Sequence, residues 1–233
     1  MRYYKCIVAF FVAFLFIQQA DAQNNTNTFL RSVYNKLQKA KDYTVDAHIK
    51  VDMPFVRMLP VNAKIYFKQK DKFKVESKGI AIVPRQGFDQ ASKMLADSSS
   101  FTTIVQGEEK IGAILTKIVN VIPLSDASDM ILGKFWIDPV QSVIIKSQLT
   151  TRSSGTILTE YSYGKEVMFG LPDEMIVSVD IKKFKVPKGF VSEPTKSSTT
   201  KDSEGNGDKR GKIYIKLSNY QINKGISNSV FIK

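Results

Sequence analysis

The chain has one histidine and one cysteine, and these set narrow limits on its chemistry. An imidazole acting as a general base needs an orienting partner and a nucleophile nearby. His48 stands between Asp46 and Lys50 on the polar side of an alternating segment, which predicts a solvent-facing strand residue. One histidine without usable thiols makes a zinc site only with an unusual set of carboxylates. Glu108-Glu109 is a carboxylate pair, but it follows Gly107 and reads as a solvated turn. The glycines are scattered, and they form neither a phosphate-cradling loop nor a G-x-S-x-G elbow. The expectation is a protein that is not an enzyme, with no metal site and no cofactor.

The cysteine, Cys6, lies in the N-terminal segment. Arg2 and Lys5 precede an apolar run from Cys6 to Ile17, and Ala20-Asp21-Ala22 supplies small residues where a signal peptidase cuts. The run is short of the roughly 20 residues that cross a bilayer core. Residues 1–22 are therefore expected to be a cleaved secretory signal, with Gln23 the first mature residue. Tyr3-Tyr4-Lys5 before Cys6 is unlike the small and aliphatic residues that precede a lipidated cysteine, so a lipid anchor is not expected. The mature chain then has no thiol, which excludes disulfides and thiolate catalysis. Its stability must rest on a hydrophobic core, which about 210 residues can build.

The net charge is +12, from 34 Lys and Arg against 22 Asp and Glu. Such a surface suits an anionic membrane or an acidic partner, or simply solubilises the outer face of a sheet. Export argues against a nucleic-acid partner.

The elements follow from periodicity. Phe29, Leu30, Val33, Leu37 and Ala40 form one stripe, predicting a helix over Thr28–Lys41. Tyr43–Met53 alternates strictly between apolar odd and polar even positions, the mark of a half-buried strand. Ala63–Lys68 and Phe73–Glu76 form a hairpin around Lys70-Asp71, with lysines outward. Gly87–Asp97 has a short helical pattern. Strands are expected at 101–106 and 110–121 around Gly107-Glu108-Glu109, then at 130–138, 143–152, 156–164, 175–182 and 212–221. Residues 187–211 are rich in Ser, Thr, Lys and Gly and read as a polar, disordered loop inserted into a single domain spanning 23–233. The fold class is mainly β (α+β): a large, strongly curved antiparallel sheet with short helices covering its concave side. Fifteen Phe, nine Tyr and one Trp are many for a sheet whose other face is lysine-rich. Either they fill an ordinary core, or apolar side chains left around the concavity make a pocket for a lipid or acyl chain.

Several segments in order resemble the LolA-like superfamily of outer-membrane lipoprotein-sorting carriers. The opening helix runs through Leu37-Gln38-Lys39-Ala40-Lys41-Asp42-Tyr43 into the long first strand. Ile65-Tyr66-Phe67-Lys68-Gln69-Lys70-Asp71-Lys72-Phe73 is similar to the family's strand, basic turn and phenylalanine. Phe135-Trp136-Ile137-Asp138-Pro139 is similar to its later strand and turn. The resemblance implies that this sheet is a half-open β-barrel with a helical lid, which shields acyl chains of lipoproteins or other lipids in the periplasm and ferries them toward the outer membrane. Val45, Ala47, Ile49, Val51, Ile65, Phe67, Phe73 and Val75 would line the concavity, joined by Met94, Leu95, Phe135, Ile137, Val177 and Val179. Phe88–Leu95 would belong to the lid. The implied partners are an inner-membrane lipoprotein-releasing transporter and an outer-membrane acceptor, with the carrier itself a monomer. Gln69 stands where carriers of the family have a lid-latching arginine. A sensor or protein-binding module of the envelope on the same scaffold is the competing expectation.

Overall fold

The computed structural model describes residues 20–53, 58–70, 72–78, 99–125, 127–180 and 210–232, with side chains from Thr28 onward. Helix α1 (Ala20–Leu37) is followed by β1 (Asp42–Asp52), β2 (Val61–Lys68), β3 (Lys72–Ser77), β4 (Phe101–Ile111), β5 (Ile114–Pro123), β6 (Met130–Asp138), β7 (Val143–Thr151), β8 (Gly155–Ser162), β9 (Glu174–Asp180) and β10 (Arg210–Ile222). All ten strands form one antiparallel sheet in the order β3-β2-β1-β10-β9-β8-β7-β6-β5-β4. Its two edges, β3 and β4, do not pair with each other, so the sheet is an open, curved half-barrel with α1 on one face. None of the helices among the described residues is long and apolar enough to cross a membrane.

Helix α1 already runs at Ala20 and stops at Leu37, four residues before the end that the stripe predicts. Gln38–Lys41 instead make a short connection into β1. The expected helix at 87–97, which includes Met94 and Leu95, lies outside the described residues, as do 187–209 of the polar loop. Arg210 and Gly211, expected in that loop, belong to β10. The turn expected at Gly107-Glu108-Glu109 is a correction. The turn is made by Gly112-Ala113, while Glu108 and Glu109 lie within β4. Gly107 sits at a bulge in that strand with φ of +138°, a backbone state that L side chains resist.

Opposite residues on neighbouring antiparallel strands share a face. One row therefore crosses seven strands: Val119, Phe135, Ser147, Thr159, Val177, Ile213 and Val51. Leu30 and Val33 of α1 pack against Val119 and Phe135, so this row belongs to the helix-bearing, inner face. The apolar core on that face falls into two clusters. One gathers Leu30 and Val33 with Phe101, Val119, Val121, Met130, Phe135, Ile137, Ile144 and Leu149 from β4 to β7. The other gathers side chains of β1, β2, β8, β9 and β10, with Leu171 against them.

Candidate functional site

The predicted concavity residues divide between the two clusters. Val45, Ala47, Ile49, Val51, Ile65, Val177 and Val179 are buried in the cluster built on β1, β2, β9 and β10. Phe67, Phe73 and Val75 are half-buried at its margin. Their shared face follows from register: Val45, Ile65 and Val75 stand in one row, and Tyr43, Phe67 and Phe73 in the next. The rings of Tyr43 and Phe67 stack at 5.0 Å, and Tyr220 meets Tyr43 edge-on at 5.8 Å. Burial pushes the Tyr43 and Tyr220 hydroxyls well above the ordinary tyrosine range. Phe135 and Ile137 share the same face of the sheet but belong to the other cluster, with the apolar stripe of α1. The alternation that places Phe135 and Ile137 inward turns Trp136 to the other side. There Lys134 and Lys146 lie over the indole at 4.8 and 4.7 Å, and its Nε1 donates to Glu109 at 2.7 Å.

The connection between α1 and β1 is fastened from two sides. The Gln69 side-chain amide donates to the carbonyls of Gln38 at 3.0 Å and Ala40 at 3.4 Å. Asn223 accepts from the Lys41 backbone N–H at 2.7 Å and donates to the Lys39 carbonyl at 2.9 Å. The Gln69 side chain is thus occupied in holding the α1–β1 connection. Gly170 completes the seat of the helix end. It has φ of +70°, and a Cβ there would come within 3.2 Å of Leu37.

Hydroxyls interrupt the apolar inner face on β7 and β8. Ser147 and Thr159 are buried, and the Tyr161 hydroxyl lies 3.1 Å from Ser147 Oγ. Tyr161 packs against both apolar clusters and so marks the seam between them. Sequence reading passed over these residues because it looked for apolar positions. The available signal was the break in alternation, a serine and a threonine at positions that strand register makes inward.

Among the described residues, His48, Glu108 and Glu109 are not gathered into one site. His48 is exposed, with Nδ1 2.8 Å from Asn62 Oδ1. Glu108 is paired with Lys117, and Glu109 accepts from Trp136. Among the described residues no three His, Cys, Asp or Glu side chains are grouped to hold a metal ion.

An open ten-stranded sheet with an N-terminal helix on its inner face has counterparts among solved structures. A DUF1329 family protein from Desulfovibrio piger superposes with a TM-score of 0.57 at 12% identity, over 91% of this chain and 97% of that one. A LolA superfamily protein from Nitrosomonas europaea superposes with a TM-score of 0.53 at 9% identity, over 87% and 96% of the two chains. The fold is LolA-like. At these identities the likeness is one of architecture. No protein-family model and no curated protein matches the sequence.

Proposed function

We propose that this protein is a periplasmic binding protein that shields the acyl chains of lipoproteins or other lipids on the inner face of its half-barrel and carries them toward the outer membrane. The observation that carries this reading is the division of the inner face. Helix α1 occupies the β4–β7 half, while β1, β2, β9 and β10 present a second apolar surface of comparable extent. Ile49, Ile65, Ile213 and Ile215 on that surface are already out of water, so a ligand binds by taking the place of what covers them. Exchange of one apolar cover for another is close to neutral in free energy, because burial is worth roughly 25 cal/mol per Å² whichever cover supplies it. A carrier that must load and unload without a cofactor needs that near-balance.

Residues 1–22 act as the export signal in this reading, and the resemblance to sorting carriers supplies the partners: a lipoprotein-releasing transporter in the inner membrane and an acceptor in the outer one. The protein works as a monomer and performs no covalent chemistry. Native mass spectrometry of the protein purified from its own periplasm, followed by organic extraction, tests both parts. The expected result is a chain beginning at Gln23 with a lipid or acylated peptide bound. A lipid-free protein, even when lipoprotein is supplied, overturns the carrier reading in favour of a protein-binding module on the same scaffold.

A further inference from the structure

Because neighbouring strands are all antiparallel, the links β2–β3, β4–β5, β6–β7 and β8–β9 lie at one end of the half-barrel, with the start of β1 and the finish of β10. The end of α1 ties these links together. Lys36 donates to the Gln141 carbonyl in the β6–β7 turn, and Leu37 sits against Gly170 in the β8–β9 link. Lys39 and Lys41 are joined through their backbones to Asn223, just beyond β10. Ala40 and Lys41 are joined in the same way to Gln69 at the β2–β3 turn. Segments far apart in the chain thus share one surface.

Charge on that surface is sorted by exposure. Among the described residues of these connections, the exposed charged side chains are Lys39, Lys41, Lys70, Lys165 and Lys224, and all are cations. The carboxylates are drawn into the fold. Asp42 and Asp138 are buried. Asp42 accepts from the Gly225 N–H at 3.0 Å, and Asp138 from the N–H groups of Val140 and Gln141 at 2.8 and 3.0 Å. Glu166 and Asp173 are half-buried. Asp71 lies outside the described residues.

Two of the same links also carry apolar tips: Val140 is 91% exposed and Met168 58% exposed. A single exposed apolar side chain is ordinary. Here both project from the end that presents the lysines. The spread of these groups decides the partner. They rise from the ends of β2, β6, β8 and β10 and from the start of β1, so they are distributed across the width of the sheet. A fluid anionic headgroup layer offers negative charge, and apolar depth beneath it, at every point of such a surface. An acidic protein would have to match each point separately.

We infer that this end of the half-barrel docks on an anionic phospholipid surface, with its lysines among the headgroups and Val140 and Met168 entering the boundary beneath them. The inference goes beyond the shielding of acyl chains on the inner face and does not require it.

Co-sedimentation of the protein purified from its own periplasm is measured with phosphatidylcholine vesicles, with and without phosphatidylglycerol. Binding is expected only where phosphatidylglycerol is present, and it weakens as salt is raised. Lys39→Gln combined with Lys224→Gln is expected to lower the affinity about 25-fold, at about fivefold for each lysine near such a surface. Lys50→Gln combined with Lys212→Gln removes the same charge from the outer face, away from this end, and is expected to change it little. Val140→Trp and Met168→Trp are each expected to be quenched by brominated phosphatidylcholine in the anionic vesicles beyond the quenching of Trp136, which lies under Lys134 and Lys146. Equal binding to the two kinds of vesicle overturns the inference, as does an equal loss in the two lysine pairs. Binding without added quenching in either tryptophan variant overturns the orientation. Polyglutamate bound as tightly as the vesicles overturns it in favour of an acidic protein. A protein that binds anionic vesicles in this way but carries no lipid leaves the docking surface standing while the carrier reading falls.

Discussion

At the residue scale, one buried and two half-buried tyrosines are held neutral on the inner face and around it. Tyr43, Tyr163 and Tyr220 all have hydroxyls held protonated well above the ordinary range, chiefly by loss of solvent. Tyr163 and Tyr220 donate to the carbonyls of Ile144 and Pro172, which keeps their hydrogens occupied without exposing them. The sign of the resulting pH dependence is fixed. Below the unfolded tyrosine pKa of about 10 the stabilisation is fully present; above it the unfolded chain releases protons that the folded chain retains, and stability falls as pH rises. Denaturant titrations between neutral pH and the alkaline range are expected to show a midpoint that is flat up to about pH 10 and then declines. Tyrosinate absorbance should rise with unfolding and not before it. A midpoint that stays flat well above the unfolded pKa would show that these hydroxyls are not held back in the folded state.

At the scale of elements, β10 has the least local and most consequential position. It is the last strand in the chain yet lies between β1 and β9, pairing from Lys212 to Ile222 with one and from Arg210 to Lys216 with the other. Its inward residues Ile213, Ile215 and Leu217 are buried in the cluster shared with Val45, Ile49 and Val177. A chain ending at residue 209 would separate β1–β3 from β4–β9 and expose both halves of a core. That truncation is expected to be unfolded by circular dichroism and rapidly digested by protease. A well-folded product would mean that β1 and β9 can close on each other. The legibility of the elements divides along the same line. Strict alternation in Tyr43–Met53 identified β1 to within a residue, because a period of two is written locally. The β4–β5 turn was misplaced because both Gly107 and Gly112 have positive φ, one at a bulge and one at the turn, and composition does not separate those uses. Helix α1 was placed too late because its first turns carry few apolar residues and leave no stripe to read.

At the scale of the whole molecule, an open sheet must protect two edges from pairing with other chains. On the β3 side, Lys68 and Lys72 both donate to Asn228, and Lys68 also to the Ile226 carbonyl, which draws the C-terminal 3-10 turn (Asn228–Phe231) along that edge. On the β4 side, α1 packs close to the strand. Phe67, half-buried and stacked on Tyr43, lies at the margin of the apolar cluster that the proposed lipid-binding reading uses. Phe67→Glu is expected to remove bound lipid while the far-ultraviolet circular dichroism spectrum stays native. A variant that is folded and still extracts with lipid would relocate the binding surface.

The sequence by itself determined which side chains share a face. The single histidine, the lone Cys6 and the period-two alternation depend only on residue identity and spacing. They were enough to predict a strongly curved antiparallel sheet, and the resemblance to the sorting carriers added the half-barrel and named Val45, Ile49, Ile65, Val177 and Val179 as lining its concave face. The tertiary structure decided what lies next to what. It placed β10 beside β1, set Phe135 and Ile137 beneath α1, turned Gln69 onto the α1–β1 connection and joined Ser147 to Tyr161 where the two apolar clusters meet. The physical reason is that alternation is a property of one strand, whereas register and strand order arise from pairings between segments far apart in the chain.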